Sequence, residues 1–267
     1  MSEKDKKPSG DSGAGKGAIY VIGIGPGGLD HLTVKARETL RKADCVVGYT
    51  RYVGLVKPLI EGKEVFATGM THEVERCAKA VEFAKAGKAV AVVSSGDAGI
   101  YGMAGLVFEL LAASGDDDLK VDVIPGVPAF VAAASILGAP LMHDFASISL
   151  SDLLTDWPVI EERIEAAAKA DFVIILYNPK SSKRVEGLGK ALSIIGQHRK
   201  GTTPVGIVRN ASREDEEAIL TTLDNVPALS DRIDMLTILV VGNSSTFLAL
   251  GRMVTPRGYH LEGGVRA

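Results

Sequence analysis

Ala18-Ile19-Tyr20-Val21-Ile22-Gly23-Ile24-Gly25-Pro26-Gly27-Gly28 is an apolar run that stops on glycines. Continuous apolar residues without alternation read as a strand covered on both faces, the habit of parallel sheets. The glycines mark a sharp turn or a close approach of backbone. Just downstream, Asp30 or Thr33 can cap a helix that reaches about Lys42, with Leu32, Ala36, Leu40 and Ala43 on one face. Residues 45–48 read as a strand, 71–86 as a helix, Ala89–Ser94 as a strand, 103–113 as a helix and Lys120–Ile124 as a strand. Strands alternating with helices predict an α/β domain with a mostly parallel sheet.

Residues 127–137 read as a further helix, entered through Pro125-Gly126. Gly138-Ala139-Pro140 then punctuates the chain. The domain boundary is placed there, giving a disordered arm at 1–17, an N-terminal α/β domain at 18–139 and a C-terminal α/β domain at 140–264. The second half carries strands at 145–150, 171–177, 204–208, 219–223 and 236–241. Helices at 159–169, 185–197 and 245–254 lie among them, and the sheet is expected to be mixed. No repeat of solenoid length is visible.

The bulk numbers remove several classes. A chain of 267 residues with 46% hydrophobic and 24% charged residues can bury a proper core. A net charge of −3 argues against nucleic-acid binding, where a basic excess is usual. Cys45 and Cys77 stand far apart and in no CxxC pair, which excludes a disulfide framework and a cysteine zinc site. They fit a reducing compartment, and the expected location is the cytoplasm. No stretch is apolar enough to span a membrane, and residues 1–17 lack the apolar core of a signal peptide.

Five motifs follow strands. Gly23-Ile24-Gly25-Pro26-Gly27-Gly28 matches GxGxxG, the dinucleotide fingerprint. Against that reading, Pro26 removes an N–H where a pyrophosphate needs donors, the helix starts late, and no acidic residue ends the second strand. Ser94-Ser95-Gly96-Asp97-Ala98-Gly99-Ile100-Tyr101-Gly102 ends another strand. Asp97 is either a ligand-facing carboxylate or a plain cap, of the helix near Met103 or of the turn before it. Pro125-Gly126-Val127-Pro128-Ala129, Tyr177-Asn178-Pro179-Lys180 and Val208-Arg209-Asn210-Ala211-Ser212 complete the set. Glycine-lined strand ends without a Walker lysine fit an adenosine-sized ligand held by backbone and shape, in a cleft between the domains.

Gly23-x-Gly25-Pro26-Gly27 with Leu32-Thr33, then Gly96-Asp97-x-Gly99-x-Tyr101-Gly102, then Pro125-Gly126-Val127, resembles the tetrapyrrole (class III) methyltransferases. The resemblance runs from about Ala18 to Gly264. Tyr177-Asn178-Pro179-Lys180-Ser181-Ser182-x-Arg184 and Arg209-Asn210-Ala211-Ser212-Arg213 resemble the branch that acts on carbon 17 of a corrin precursor. It implies an enzyme of two α/β domains, a homodimer that uses S-adenosyl-L-methionine. It further implies methylation of carbon 17 of precorrin-3B or cobalt-factor III with ring contraction, in cobalamin biosynthesis, with no metal held by the protein. Cofactor contacts are implied at Pro26, Gly96, Asp97, Ile100, Tyr101, Pro128, Ala129, Tyr177, Asn178, Asn210 and Ala211. Where relatives carry paired small hydroxyls, this chain has Pro128-Ala129.

Methyl transfer from a sulfonium disperses charge, so it asks for alignment and water exclusion more than for acid–base groups. The substrate's carboxylate arms call for cations, and Arg184 and Arg209 adjoin the loop motifs. Phe145, Ser147, Ser149 and Ser151 alternate on one strand face, which either lines a cavity or is an ordinary half-exposed strand. Ser147, Ser149 and Tyr101 are the candidates for positioning oxygens during ring contraction. His143 and Asp144 are adjacent on a strand and point apart. The competing readings are methylation of another ring position, diphthamide synthesis, a nicotinamide-dependent oxidoreductase, and a non-catalytic tetrapyrrole carrier.

Overall fold

The computed structural model describes residues 17–116, 118–182 and 184–259. Two compact units divide the chain. One runs to Ile24 and includes Leu32–Gly126; the other takes Gly25–His31 and the chain from Val127 onward. The expected arm at 1–17 falls, apart from Gly17, outside the described residues, as does the chain beyond Tyr259.

The first unit runs β1 (Ala18–Gly23), α1 (Val34–Lys42), β2 (Cys45–Tyr49), α2 (Thr50–Leu55), β3 (Glu64–Thr68), α3 (Glu73–Lys85), β4 (Ala89–Ser94), α4 (Ala104–Ser114) and β5 (Lys120–Ile124). Its sheet has the order β3-β2-β4-β1-β5, every pair parallel. Thr33, not Asp30, caps α1, its side chain accepting from the Ala36 N–H at 3.1 Å. Leu32, Ala36, Leu40 and Ala43 are buried against one face of the sheet, with Ile22, Val46 and Val93. Cys77, Ala80 and Ala84 of α3 and Ala104, Val107 and Leu111 of α4 cover the other, against Val21, Val47 and Val92. That double cover explains the unalternated strand sequences. The chain leaves β1 by the α1 face toward β2 and leaves β4 by the α4 face toward β5. Adjacent strands β1 and β4 therefore form a topological switch point, the edge where open α/β sheets bind ligands.

The second unit holds α5 (Ala129–Leu137), β6 (Gly138–Ala139), β7 (Phe145–Ser149), α6 (Trp157–Lys169), β8 (Val173–Tyr177), α7 (Gly187–Gly196), β9 (Pro204–Arg209), β10 (Glu217–Thr222), β11 (Thr237–Val241), β12 (Phe247–Ala249) and β13 (Arg252–Val254). Its main sheet, β10-β9-β11-β8-β7, is mixed. Only β7 and β8 pair in parallel. Ile160, Ile164, Leu188 and Ile195 cover one face and Phe130, Ala133 and Leu137 of α5 the other. This last contact places the division after Gly126 rather than at Gly138-Ala139-Pro140. The apolar face of α5 is spent on Val173, Ile175, Val208 and Val240 of the second sheet.

The helix expected at 245–254 is a hairpin. Leu250 (φ 53°) and Gly251 (φ 68°) both take left-handed backbone, which a two-residue primed turn requires. β13 then pairs with β12 and with β6. Helix α2 and edge strand β3 lie where no element was expected. No helix among the described residues is long and apolar enough to cross a membrane.

Candidate functional site

Three glycines build the switch point of the first unit. A Cβ at Gly23 would sit 2.7 Å from Gly96 O and 2.7 Å from Gly126 N; one at Gly126 would sit 2.1 Å from Gly96 O. The ends of β1, β4 and β5 thus meet backbone on backbone, where no side chain fits. Asp97 fastens the arrangement. Its Oδ1 accepts the Gly99 N–H at 2.8 Å and its Oδ2 the Gly126 N–H at 3.0 Å. It does not cap α4, whose Ala104 N–H bonds to Ala98 O. The helix-cap alternative for Asp97 is thereby excluded, while its bond to the Gly99 N–H is that of a cap on the turn before the helix. Beyond Asp97 the loop turns outward, with Ile100 36% and Tyr101 55% exposed. Tyr101 is held at φ 51°, a strained conformation for a bulky residue.

In the second unit the strand-end loops also take left-handed backbone, which asparagine accommodates readily. Asn178 (φ 52°) follows β8, and Asn210 (φ 53°) and Ser212 (φ 60°) follow β9. Tyr177 Oη accepts the Phe130 N–H at 3.1 Å. It thereby serves the first turn of α5, where Pro128 at the N-cap makes no side-chain hydrogen bond. The Gly25–His31 segment is latched to the loop after β9. Gly28 N–H donates to Ser212 O at 2.9 Å, and Arg213 Nε donates to Pro26 O at 2.6 Å. A Cβ at Gly27 would lie 1.9 Å from Ser212 O. Pro26 and Ala211 are buried and Asn210 half-buried.

The sequence-predicted polar residues meet mixed outcomes. Ser149 Oγ accepts from Asn178 Nδ2 at 2.9 Å and from the Ser151 N–H at 3.2 Å. It supports a candidate cofactor loop. Ser147 is half-buried on the same face of β7, while Ala146, Ile148 and Leu150 turn to the core. Arg184 is not an open cation. Its side chain is 16% exposed, with Nη1 on Leu150 O at 3.0 Å, Nη2 on Met235 Sδ at 3.3 Å and Nε 3.8 Å from Asp152. Arg209 Nε donates to Asp234 Oδ2 at 2.9 Å. Burial pushes the Asp234 carboxyl up, but bonds from Arg209, the Leu236 N–H and Thr237 outweigh it and hold it below the ordinary carboxylate value. His143 Nδ1 stands 3.8 Å from Asp144, and both line a cavity of about 450 Å³ at the opposite end of this sheet from Tyr177. Burial raises the Cys45 thiol to about 11 and the Cys77 thiol to about 12, which makes both inert. No group of three acidic, histidine or cysteine side chains placed to hold a metal ion occurs among the described residues.

Glycines packed on glycines, with an exposed isoleucine and tyrosine at the rim, fit a flat, partly apolar group such as adenosine. A pyrophosphate fits poorly, because Pro26 has no N–H and the Gly28 N–H is already bonded to Ser212 O. An open parallel sheet with this switch point and a second mixed-sheet unit define the chain as an α/β protein of two units. Residues 18–227 match the Tetrapyrrole (Corrin/Porphyrin) Methylases, and the chain belongs to that family. It is 53% identical to a probable cobalt-factor III C(17)-methyltransferase of Salmonella typhimurium, covering 91% of this chain and 100% of that one. It is 51% identical to a cobalt-factor III methyltransferase of Priestia megaterium, where the match covers 91% of this chain but 45% of the longer relative. A crystal structure of the methyltransferase CobJ superposes with a TM-score of 0.85 at 34% identity, over 90% of this chain and 100% of that one.

Proposed function

We propose that this chain is an S-adenosyl-L-methionine-dependent methyltransferase of cobalamin biosynthesis. It methylates carbon 17 of cobalt-factor III or precorrin-3B and promotes ring contraction, as a homodimer with the tetrapyrrole as its small-molecule partner. The observation that carries this reading is the three-glycine switch point fastened by Asp97, in a chain half identical to relatives named for that reaction.

S-adenosyl-L-methionine supplies an electrophilic methyl group. The protein's part is to bind, orient and exclude water. Gly96 and Asp97 fix the strand end on which the cofactor rests, and Ile100 and Tyr101 offer it apolar surface. Pro26, Pro128, Ala129, Tyr177, Asn178, Asn210 and Ala211 are the further proposed contacts. Arg209 is proposed to meet a carboxylate arm of the substrate, since 37% of its side chain stays exposed beside Asp234. Ser147, Ser149 and Tyr101 are proposed to hold oxygens of the macrocycle by hydrogen bonds. Alignment of this kind supplies several of the ~7–11 kcal/mol available from good orientation.

Calorimetry tests the cofactor. S-adenosylhomocysteine is expected to bind at one site per chain and NADH not at all. Saturable NADH binding without S-adenosylhomocysteine binding would contradict the proposal.

A further inference from the structure

The strap Gly25–His31 lies in the chain between β1 and α1 but belongs to the second unit. Gly25, Gly27 and Gly28 leave it little side chain to pack. Glycine has more backbone freedom to lose than any other residue, so such a strap is costly to order. Part of its order is its own. Gly25 (φ 77°) turns the chain, and the His31 N–H donates to Gly28 O at 3.1 Å. Further order comes from the hairpin loop between β9 and β10.

That loop holds the strap along its length. Arg213 Nε donates to Pro26 O at 2.6 Å, a charge-assisted bond to a neutral acceptor. Ser212 O accepts the Gly28 N–H at 2.9 Å, and Ser212 Oγ lies 3.4 Å from His31 Nε2. A Cβ at Gly27 would overlap Ser212 O, so strap and loop meet backbone on backbone. The loop is itself braced. The Arg213 N–H closes a turn onto Asn210 O at 2.9 Å, and Glu216 Oε2 accepts the Ser212 N–H at 2.7 Å. These bonds steady the left-handed backbone of Asn210 and Ser212. The surroundings do not suit Arg213 to a substrate carboxylate. Exposed Glu214, Asp215 and Glu216 follow it directly, and their charge opposes such a group.

We propose that Arg213 and Glu216 are positioning residues for the cofactor. Arg213 fixes Pro26 and Glu216 fixes the backbone of Asn210–Ser212, so Pro26, Asn210 and Ala211 meet S-adenosyl-L-methionine as one preordered wall. The inference rests on the reading above and extends it to two residues that act through the proposed contacts. Preordering strengthens binding because the strap's freedom is already lost before the cofactor arrives. The effect falls on cofactor affinity and leaves the tetrapyrrole and the chemical step alone.

The test uses the full chain, with S-adenosylhomocysteine as the probe in calorimetry and cobalt-factor III as the substrate in turnover. Arg213→Ala is expected to weaken S-adenosylhomocysteine binding about tenfold and to raise the KM for S-adenosylmethionine to match. Its kcat and its KM for the tetrapyrrole are expected to stay within about twofold of wild type. Arg213→Lys keeps a charged donor and is expected to recover most of the loss. Glu216→Ala, at an exposed position, is expected to weaken binding about threefold, and Glu216→Gln, which keeps an acceptor oxygen, to bind as wild type. Wild-type affinity in Arg213→Ala overturns the proposal; should that variant not fold, wild-type affinity in Glu216→Ala does so. A loss in Arg213→Ala that lysine does not restore overturns it too, as does one that falls on the tetrapyrrole KM instead. A wild-type chain that binds no S-adenosylhomocysteine contradicts the functional reading itself, whereas a wild type that binds alongside unaffected variants contradicts the positioning role alone.

Discussion

Asp97 accepts two backbone N–H groups from two different strand ends, so its removal is felt in both stability and binding. Hydrogen bonds to a charged group are worth about 1.5–3 kcal/mol. Asp97→Ala is expected to lower the melting temperature by several degrees and to weaken S-adenosylhomocysteine binding in calorimetry. Asp97→Asn, which keeps an acceptor oxygen, is expected to lose less of each. Full affinity in Asp97→Ala would remove Asp97 from the site. Glycines give a contrast in sign. Gly126→Ala drives a methyl onto Gly96 O and costs at least about 1–3 kcal/mol. Gly54→Ala, in α2 with nothing within 4 Å of the new methyl, stabilises by about 0.5–1 kcal/mol. Chemical denaturation distinguishes the two directions.

Asp234 predicts a pH dependence. Its carboxyl is held below the ordinary value of 3.8, so the stability it contributes is fully present above that value. It is lost as pH falls through the lower folded value. Melting curves of the wild type and Asp234→Asn are expected to lie apart by a constant amount above about pH 5 and to converge in stronger acid. A gap that persists unchanged in strong acid would detach the effect from this ionisation.

At the scale of elements, the link between β7, β8 and α5 is the informative one. Tyr177→Phe removes the acceptor for the Phe130 N–H and is expected to cost about 1 kcal/mol, the worth of a missing cap. Ser147→Ala is expected to slow formation of the contracted product about fivefold, the kinetic equivalent of one lost hydrogen bond of about 1 kcal/mol. Its cofactor affinity is expected to hold. Contraction at the wild-type rate in that variant assigns the serine face a structural role.

The elements differ in how plainly the sequence announces them. β1 and β4 are legible because double cover makes them unbroken apolar runs, and α1 because Thr33 and a clean apolar face coincide. Edge strand β3 is not, since its burial is partial and its composition ordinary. The hairpin of β12 and β13 hides behind Leu250, which takes a left-handed turn position that Asn or Asp normally advertises. The loop motifs were legible as strand-end loops, but their internal wiring was not. That Asp97 bonds to Gly126, or that Arg184 is spent on Leu150 O, depends on contacts between residues distant in sequence.

For the whole molecule, a family fold serves one proposed reaction. The proposed homodimer is checked by light scattering, where a species near twice 28.0 kDa at micromolar concentration is expected; a 28.0 kDa species alone would count against it. The most direct measurement is mass spectrometry of the tetrapyrrole after the purified chain is incubated with cobalt-factor III and S-adenosylmethionine labelled in its methyl group. One labelled methyl per macrocycle, placed at carbon 17 by fragmentation or NMR and accompanied by the contracted ring, is the predicted result. A label at another ring carbon, or no label with the cofactor bound, would contradict the account.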